Sequence, residues 1–241
     1  MIARWALVGV LAGVGAFVLS GCEFLTPTST YRQRITVELE TLDGSKAGSS
    51  VVEVSYLEIT SSNGGNGNAL LGGEAIAIDV APKKTLFALL GSAPGADLNS
   101  YQAQLIGDAL NAGARADPPV NFPSSRYGYS VADHKVIGDS GVKLDLPREL
   151  YPMLVTFADD KDLTSVMLVE PSDLAAHFGA GVKLKRISVA VTDEPVTTGI
   201  EKRLIAMGFE KGRGLDRTGI VSANLTLAQR LSYNDFFKAQ E

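Results

Sequence analysis

The side chains of this chain that could do chemistry are few: two histidines, one cysteine and some clustered acids. Gly138-Asp139-Ser140-Gly141 sets a hydroxyl between glycines, six residues after His134. Nucleophilic attack by serine needs a histidine base and an acid that orients it. His134 lies on the same short stretch, and a turn accounts for the glycines and the aspartate equally well. Asp133, Asp139, Asp145 and Glu149 could supply a converging carboxylate pair, as any acids can that folding brings together. His134 and His177 stand in different segments, and neither belongs to a His-Glu-x-x-His cluster. His177, beside Phe178, reads as a packing or capping residue. Asp159-Asp160-Lys161-Asp162 lacks the central glycine and final glutamate of a calcium loop and reads as a solvated turn. Ser61 to Gly73, with Asn63-Gly64-Gly65-Asn66-Gly67-Asn68 at its heart, lacks the Lys-Ser pair of a phosphate cradle and reads as a flexible surface loop. No catalytic, cofactor-binding or metal residue is assigned.

Cys22 is the only thiol. It ends an apolar run from Trp5 to Val18 that follows Arg4, the layout of a secretory signal and too short for a membrane span. Leu19-Ser20-Gly21-Cys22 resembles the lipobox of bacterial lipoproteins. The resemblance implies cleavage before Cys22, a diacylglycerol thioether on its sulfur and acylation of the new N-terminus. Three acyl chains, at about 0.8 kcal/mol per buried methylene, hold far more firmly than one. Glu23 follows, where aspartate would favour inner-membrane retention in enterobacteria, so the resemblance implies the outer membrane, with the folded part facing the periplasm. Gly138 to Gly141 is similar to the Gly-Asp-Ser-Gly-Gly run of chymotrypsin-like proteases, but Val142 stands in the fifth place and no Ala-Ala-His-Cys segment occurs.

Removing 21 of the 241 residues leaves 220, enough for one large domain with a sizeable core. Without a second thiol, packing alone must hold that core. The formal charge is −5, and −6 once Arg4 is lost. This acidic balance excludes a nucleic-acid surface, which wants clustered cations. Lys183, Lys185 and Arg186, the densest basic group, alternate with apolar residues and read as a solvated strand face. The organisation is therefore a signal peptide over 1–21, a lipidated N-terminus and flexible tether over 22–30, and one periplasmic domain over 31–241.

The elements that must position these groups are mostly strands. Ile35, Val37 and Leu39 alternate with polar residues, as do Val52, Val54 and Tyr56, and Asp43-Gly44 between them predicts a hairpin with a loop over 41–48. Ala75 to Val80 and Thr85 to Leu90 predict a second hairpin, central in the sheet, around Pro82-Lys83-Lys84. Asp97 is a candidate N-cap for a helix that runs to Gly113. Residues 113–147 read as an irregular crossing with a short strand near Tyr127 to Val131. Strands are expected over Met153 to Phe157, Ser165 to Val169 and Val182 to Val191, and helices over Pro171 to Phe178 and Thr198 to Met207. Leu225 to Lys238 reads as a closing helix or a strand. Asp173-Leu174-Ala175-Ala176-His177-Phe178-Gly179 and Thr197-Thr198-Gly199-Ile200-Glu201-Lys202-Arg203-Leu204 resemble stretches of proteobacterial proteins without assigned function, so that resemblance implies no activity. The expected fold is α+β, a largely antiparallel sheet built from hairpins with two or three packed helices. The expected function is a lipid-anchored, non-enzymatic envelope accessory that binds an envelope protein, a peptide or a glycan through its hairpins and exposed loops, with addition of a partner strand to a sheet edge as one mode. The alternative is a periplasmic hydrolase using Ser140 or an acidic pair of the 113–147 crossing.

Overall fold

The computed structural model describes residues 26–59, 65–121, 130–217 and 224–240. Cys22 and the apolar run before it lie outside these residues. Strands β1 (Thr26–Thr41) and β2 (Gly44–Ile59) form an antiparallel hairpin, with Thr26 opposite Glu58 at one end and Thr41 opposite Gly44 at the other. The alternation is as expected: Tyr31, Gln33, Ile35, Val37 and Leu39 are buried, and the residues between them are half-buried. Two boundaries differ. Residues 26–30, read as tether, are already paired with β2; threonines at 26, 28 and 30 have a strand propensity that their polarity conceals. The turn consists of Leu42 and Asp43 alone, closed by Gly44 at φ 117°. Ser45 to Ser49 lack an apolar pattern, yet main-chain pairing with Glu40 to Thr36 holds them in the strand.

β3 (Gly65–Glu74) takes most of the stretch read as a flexible loop and pairs with Glu53 to Ile59 of β2. Its glycines allow close approach: a Cβ on Gly73 would lie 2.5 Å from Val52 Cγ1. β4 (Ile76–Ala81) and β5 (Lys84–Ala88) make the second hairpin. Asp97 caps α1 (Leu98–Asn111), its carboxylate accepting from Asn99 N–H. Within the crossing read as irregular lies α2 (Val131–Ser140), started by a Ser130/Asp133 capping box and ended by Gly141 at φ 62°. Val131 is therefore helical, and the rest of the strand expected near Tyr127 lies largely outside the described residues. Then follow β6 (Lys143–Asp145), β7 (Leu154–Phe157), β8 (Val166–Leu168), α3 (Ala175–Phe178), β9 (Lys183–Thr192) and α4 (Ile200–Ala206). The C-terminal segment is neither a long helix nor a long strand but α5 (Leu227–Arg230), a single 3-10 turn and β10 (Phe237–Lys238).

Among the described residues the strands form two antiparallel sheets, ordered β10-β3-β2-β1-β9-β6 and β4-β5-β7-β8, so the fold is α+β. The β4–β5 hairpin is not central in one sheet; β4 is an edge of the second. It crosses the first sheet at Gly48, where a Cβ would lie 2.7 Å from Ile78 Cγ1 and 2.8 Å from Ile76 Cγ2. β5 is buried on both faces, as a strand between two layers must be. Leu86, Ala88 and Leu90 enter an aliphatic core with β1, α1 and α2, while Phe87 and Leu89 enter a second core with Phe157, Leu204, Phe209 and Phe236.

Candidate binding cleft

The residues singled out for chemistry do not converge. Ser140 ends α2, where its Oγ donates to the Ile137 carbonyl at 2.6 Å and accepts from Val142 N–H at 3.1 Å. His134 is 2% exposed. Its Nδ1 lies 3.0 Å from Ser29 Oγ and its ring 4.4 Å from that of Tyr31. Burial pushes its imidazole down to about 4. The carboxylate of Asp133 accepts from Ser130, that of Asp139 pairs with Lys135 at 2.7 Å, and Asp145 sits 4.0 Å from Arg186. Glu149 lies on an exposed turn. The backbone carbonyl of His177 accepts from Lys84 Nζ. Asp159 and Asp162 accept from Lys161 and Thr164 N–H, holding their own turn. Lys185 and Arg186 both pair with Glu38, and Arg186 above all holds that carboxyl below the usual range.

A different place has the geometry of a site. Four segments far apart in sequence surround a cleft of about 770 Å³: the β1–β2 turn, the β4–β5 hairpin, the turn after β7, and α4. Its volume falls within the range of small-ligand pockets. Phe87 and Phe157 form the floor, packed edge to face at 5.7 Å, with Ala206 and Met207 beside them.

Polar groups build the walls. Both carboxylate oxygens of Asp79 on β4 accept from a single nitrogen, Nη2, of Arg203 of α4, at 2.7 and 2.8 Å, and Oδ1 accepts also from Thr85 Oγ1 at 2.7 Å. Arg203 thereby holds the Asp79 carboxyl below its ordinary value. Lys46 reaches from β2 to the Asp79 and Val80 carbonyls, both at 2.9 Å. The first turn of α4 is fixed from β3, since Glu74 Oε2 accepts from Ile200 N–H at 2.9 Å. Exposed Lys83 and Lys161, with Asp43 and Asp160, form the lips. The arrangement is an apolar pocket with a polar rim.

Sequence reasoning missed the cleft because its residues are ordinary surface types spread over separate segments. One local signal was present: Lys83 follows Pro82 in a two-residue turn and takes φ 57°, where glycine or asparagine is usual. That marks a tight tip, which here forms one lip. No protein-family model, curated protein or solved structure matches the chain.

Proposed function

We propose that this chain is a lipid-anchored accessory protein of the bacterial cell envelope, held in the outer membrane by acylated Cys22, whose periplasmic domain binds a partner in the cleft and catalyses no reaction. The observation that carries this reading is the polarity of the β1–β2 hairpin. Only three residues separate Cys22 from Thr26, a reach of at most about 14 Å. The start of β1 would therefore rest close to the lipid headgroups. At about 3.3 Å per residue, the sixteen residues of β1 span roughly 50 Å. The cleft lies at the other end, beside the turn at Asp43. Anchor and cleft are at opposite ends of one rod, which suits a protein that presents a binding site away from its membrane. No arrangement among the described residues favours the hydrolase reading, since Ser140 and His134 are engaged with different partners.

The test compares the full chain with Cys22→Ser and Ala206→Trp, purified from gently solubilised membranes after labelling with palmitate. Label on the native chain and its loss in Cys22→Ser are expected. A co-purifying partner should fall at least tenfold in Ala206→Trp, whose indole fills the cleft from an exposed helix position. An unlabelled native chain would overturn the anchor, and a partner indifferent to Ala206→Trp would overturn the cleft.

A further inference from the structure

β2 is longer than the strand that covers it. β3 pairs only with Glu53 to Ile59, and the next covered position is Val51. There the Val51 N–H donates to Thr197 Oγ1 at 2.7 Å and the Val51 carbonyl accepts from Thr197 N–H at 3.0 Å. In an antiparallel strand, alternate residues turn both backbone groups to the same edge. Ser49, Ala47 and Ser45 therefore face outward as Val51 does. All three are exposed, and no strand of the described residues pairs with that edge. A free edge of this kind is commonly blunted by a charged side chain. Here Lys46 turns instead to the carbonyls of β4.

The free edge runs directly into the cleft. Lys46 belongs to both, and α4, which begins three residues after Thr197, forms the facing wall. We propose that the β2 edge from Ser45 to Ser49 and the cleft are one peptide-recognition site. An extended segment of a partner protein adds as a strand to β2 and seats one large apolar side chain on Phe87 and Phe157. This rests on the binding reading of the cleft and names its ligand class. Outward N–H and C=O groups repeating every second residue match an extended polypeptide and no glycan. A second copy pairing edge to edge would bring only Lys46 and Gly48 to the β4 side, and neither fills an apolar floor.

The experiment pans random nonapeptides displayed on phage against the full lipidated chain in detergent micelles. Enriched peptides are then resynthesised with single backbone N-methyl groups. Enrichment of a large apolar residue within an otherwise strand-prone sequence is expected. N-methylation at alternate positions should weaken binding at least tenfold and leave it unchanged at the positions between. Ala47→Pro, which removes an N–H that has no partner among the described residues, should lose binding at least tenfold, whereas Ala47→Thr should retain it. The N-methyl series keeps the test valid if Ala47→Pro fails to fold. Peptides that tolerate every N-methyl group but are lost in Ala206→Trp would overturn strand addition and leave the cleft standing. Peptides lost in Ala47→Pro but retained in Ala206→Trp would overturn the union of edge and cleft. No enrichment over the Ala47→Pro/Ala206→Trp double variant, or self-association that Ala47→Pro abolishes, would overturn the proposal outright.

Discussion

The two faces of β5 meet two cores made of different materials. On one face the core is aliphatic and holds polar groups: Gln33 and Gln102 are wholly buried, and His134 of α2 is buried against Tyr31 of β1. Among the described residues His134 Nε2, Tyr31 Oη, Gln33 Oε1 and Ser50 Oγ are buried without a hydrogen-bond partner, each a cost to stability. The other core is aromatic: Phe236 stacks edge to face with Phe209 at 4.9 Å and with Phe87 at 5.7 Å. The cleft floor is the outer surface of this second core. A pocket gains a rigid floor where packing is dense and no polar atom competes, whereas the polar core gives α1 and α2 a base with weak points.

Truncation in the aromatic core should therefore cost most. Phe236→Ala removes a ring with no exposed surface that touches three other aromatic rings, and should destabilise the chain by about 3–5 kcal/mol in a denaturant titration. A loss under about 1 kcal/mol would mean that this core is not closely packed. The polar core should reveal itself by pH. Folding lowers the His134 imidazole from 6.5 to about 4, so between these values the unfolded chain binds a proton that the folded chain refuses. Stability is then full above pH 6.5 and falls as pH drops toward 4, by on the order of 3 kcal/mol from this residue. His134→Gln should flatten that slope in parallel melts across the window. An unchanged slope would assign the acid sensitivity to carboxylates instead.

Next in size is the glutamine pair. Gln33 Nε2 donates to the Gln102 carbonyl at 2.8 Å, and Gln102 Nε2 donates to the Leu90 carbonyl at 2.5 Å. Gln102→Leu leaves that carbonyl buried and unpaired, at about 1–3 kcal/mol. Gln33→Leu together with Gln102→Leu should recover part of the loss by removing Gln33 Oε1, which is buried without a hydrogen-bond partner among the described residues. If the double variant is no more stable than the single one, the polar network contributes more than its desolvation costs.

What was legible followed from burial on one face. The alternation at Ile35, Val37 and Leu39 exists because polar residues between them face outward, and the Asp97 cap preceded a clear helical period. α2 was hidden because its buried positions are Asp133, His134 and Ile137, too few apolar residues to show a period. Its signals were the Ser130/Asp133 box and Gly141, and the same Gly141 made Gly138-Asp139-Ser140-Gly141 resemble a nucleophile turn rather than a helix end. β3 was hidden because glycine signals both a loop and a close approach, and only the position of Val52 tells them apart. The cleft was hidden because convergence of Asp43, Lys46, Asp79, Phe157 and Arg203 depends on how two sheets cross, which no local pattern encodes.

The smallest effect expected is at the cleft wall itself, where it sharpens the contrast between packing and charge. Arg203 meets both Asp79 oxygens through one guanidinium nitrogen, and their side chains are 37% and 63% exposed, so water screens the pair and its net worth should be under about 1 kcal/mol. A double-mutant cycle with Arg203→Ala and Asp79→Ala should return a coupling in that range that shrinks further in high salt. The position of α4 would then be set by buried Leu204 and Ile200, the side the aromatic core controls. Arg203 would shape the rim rather than hold the helix. A coupling above about 2 kcal/mol would reverse that assignment, because the wall would then depend on charge, and ligand affinity in the cleft should weaken with salt even for an uncharged peptide.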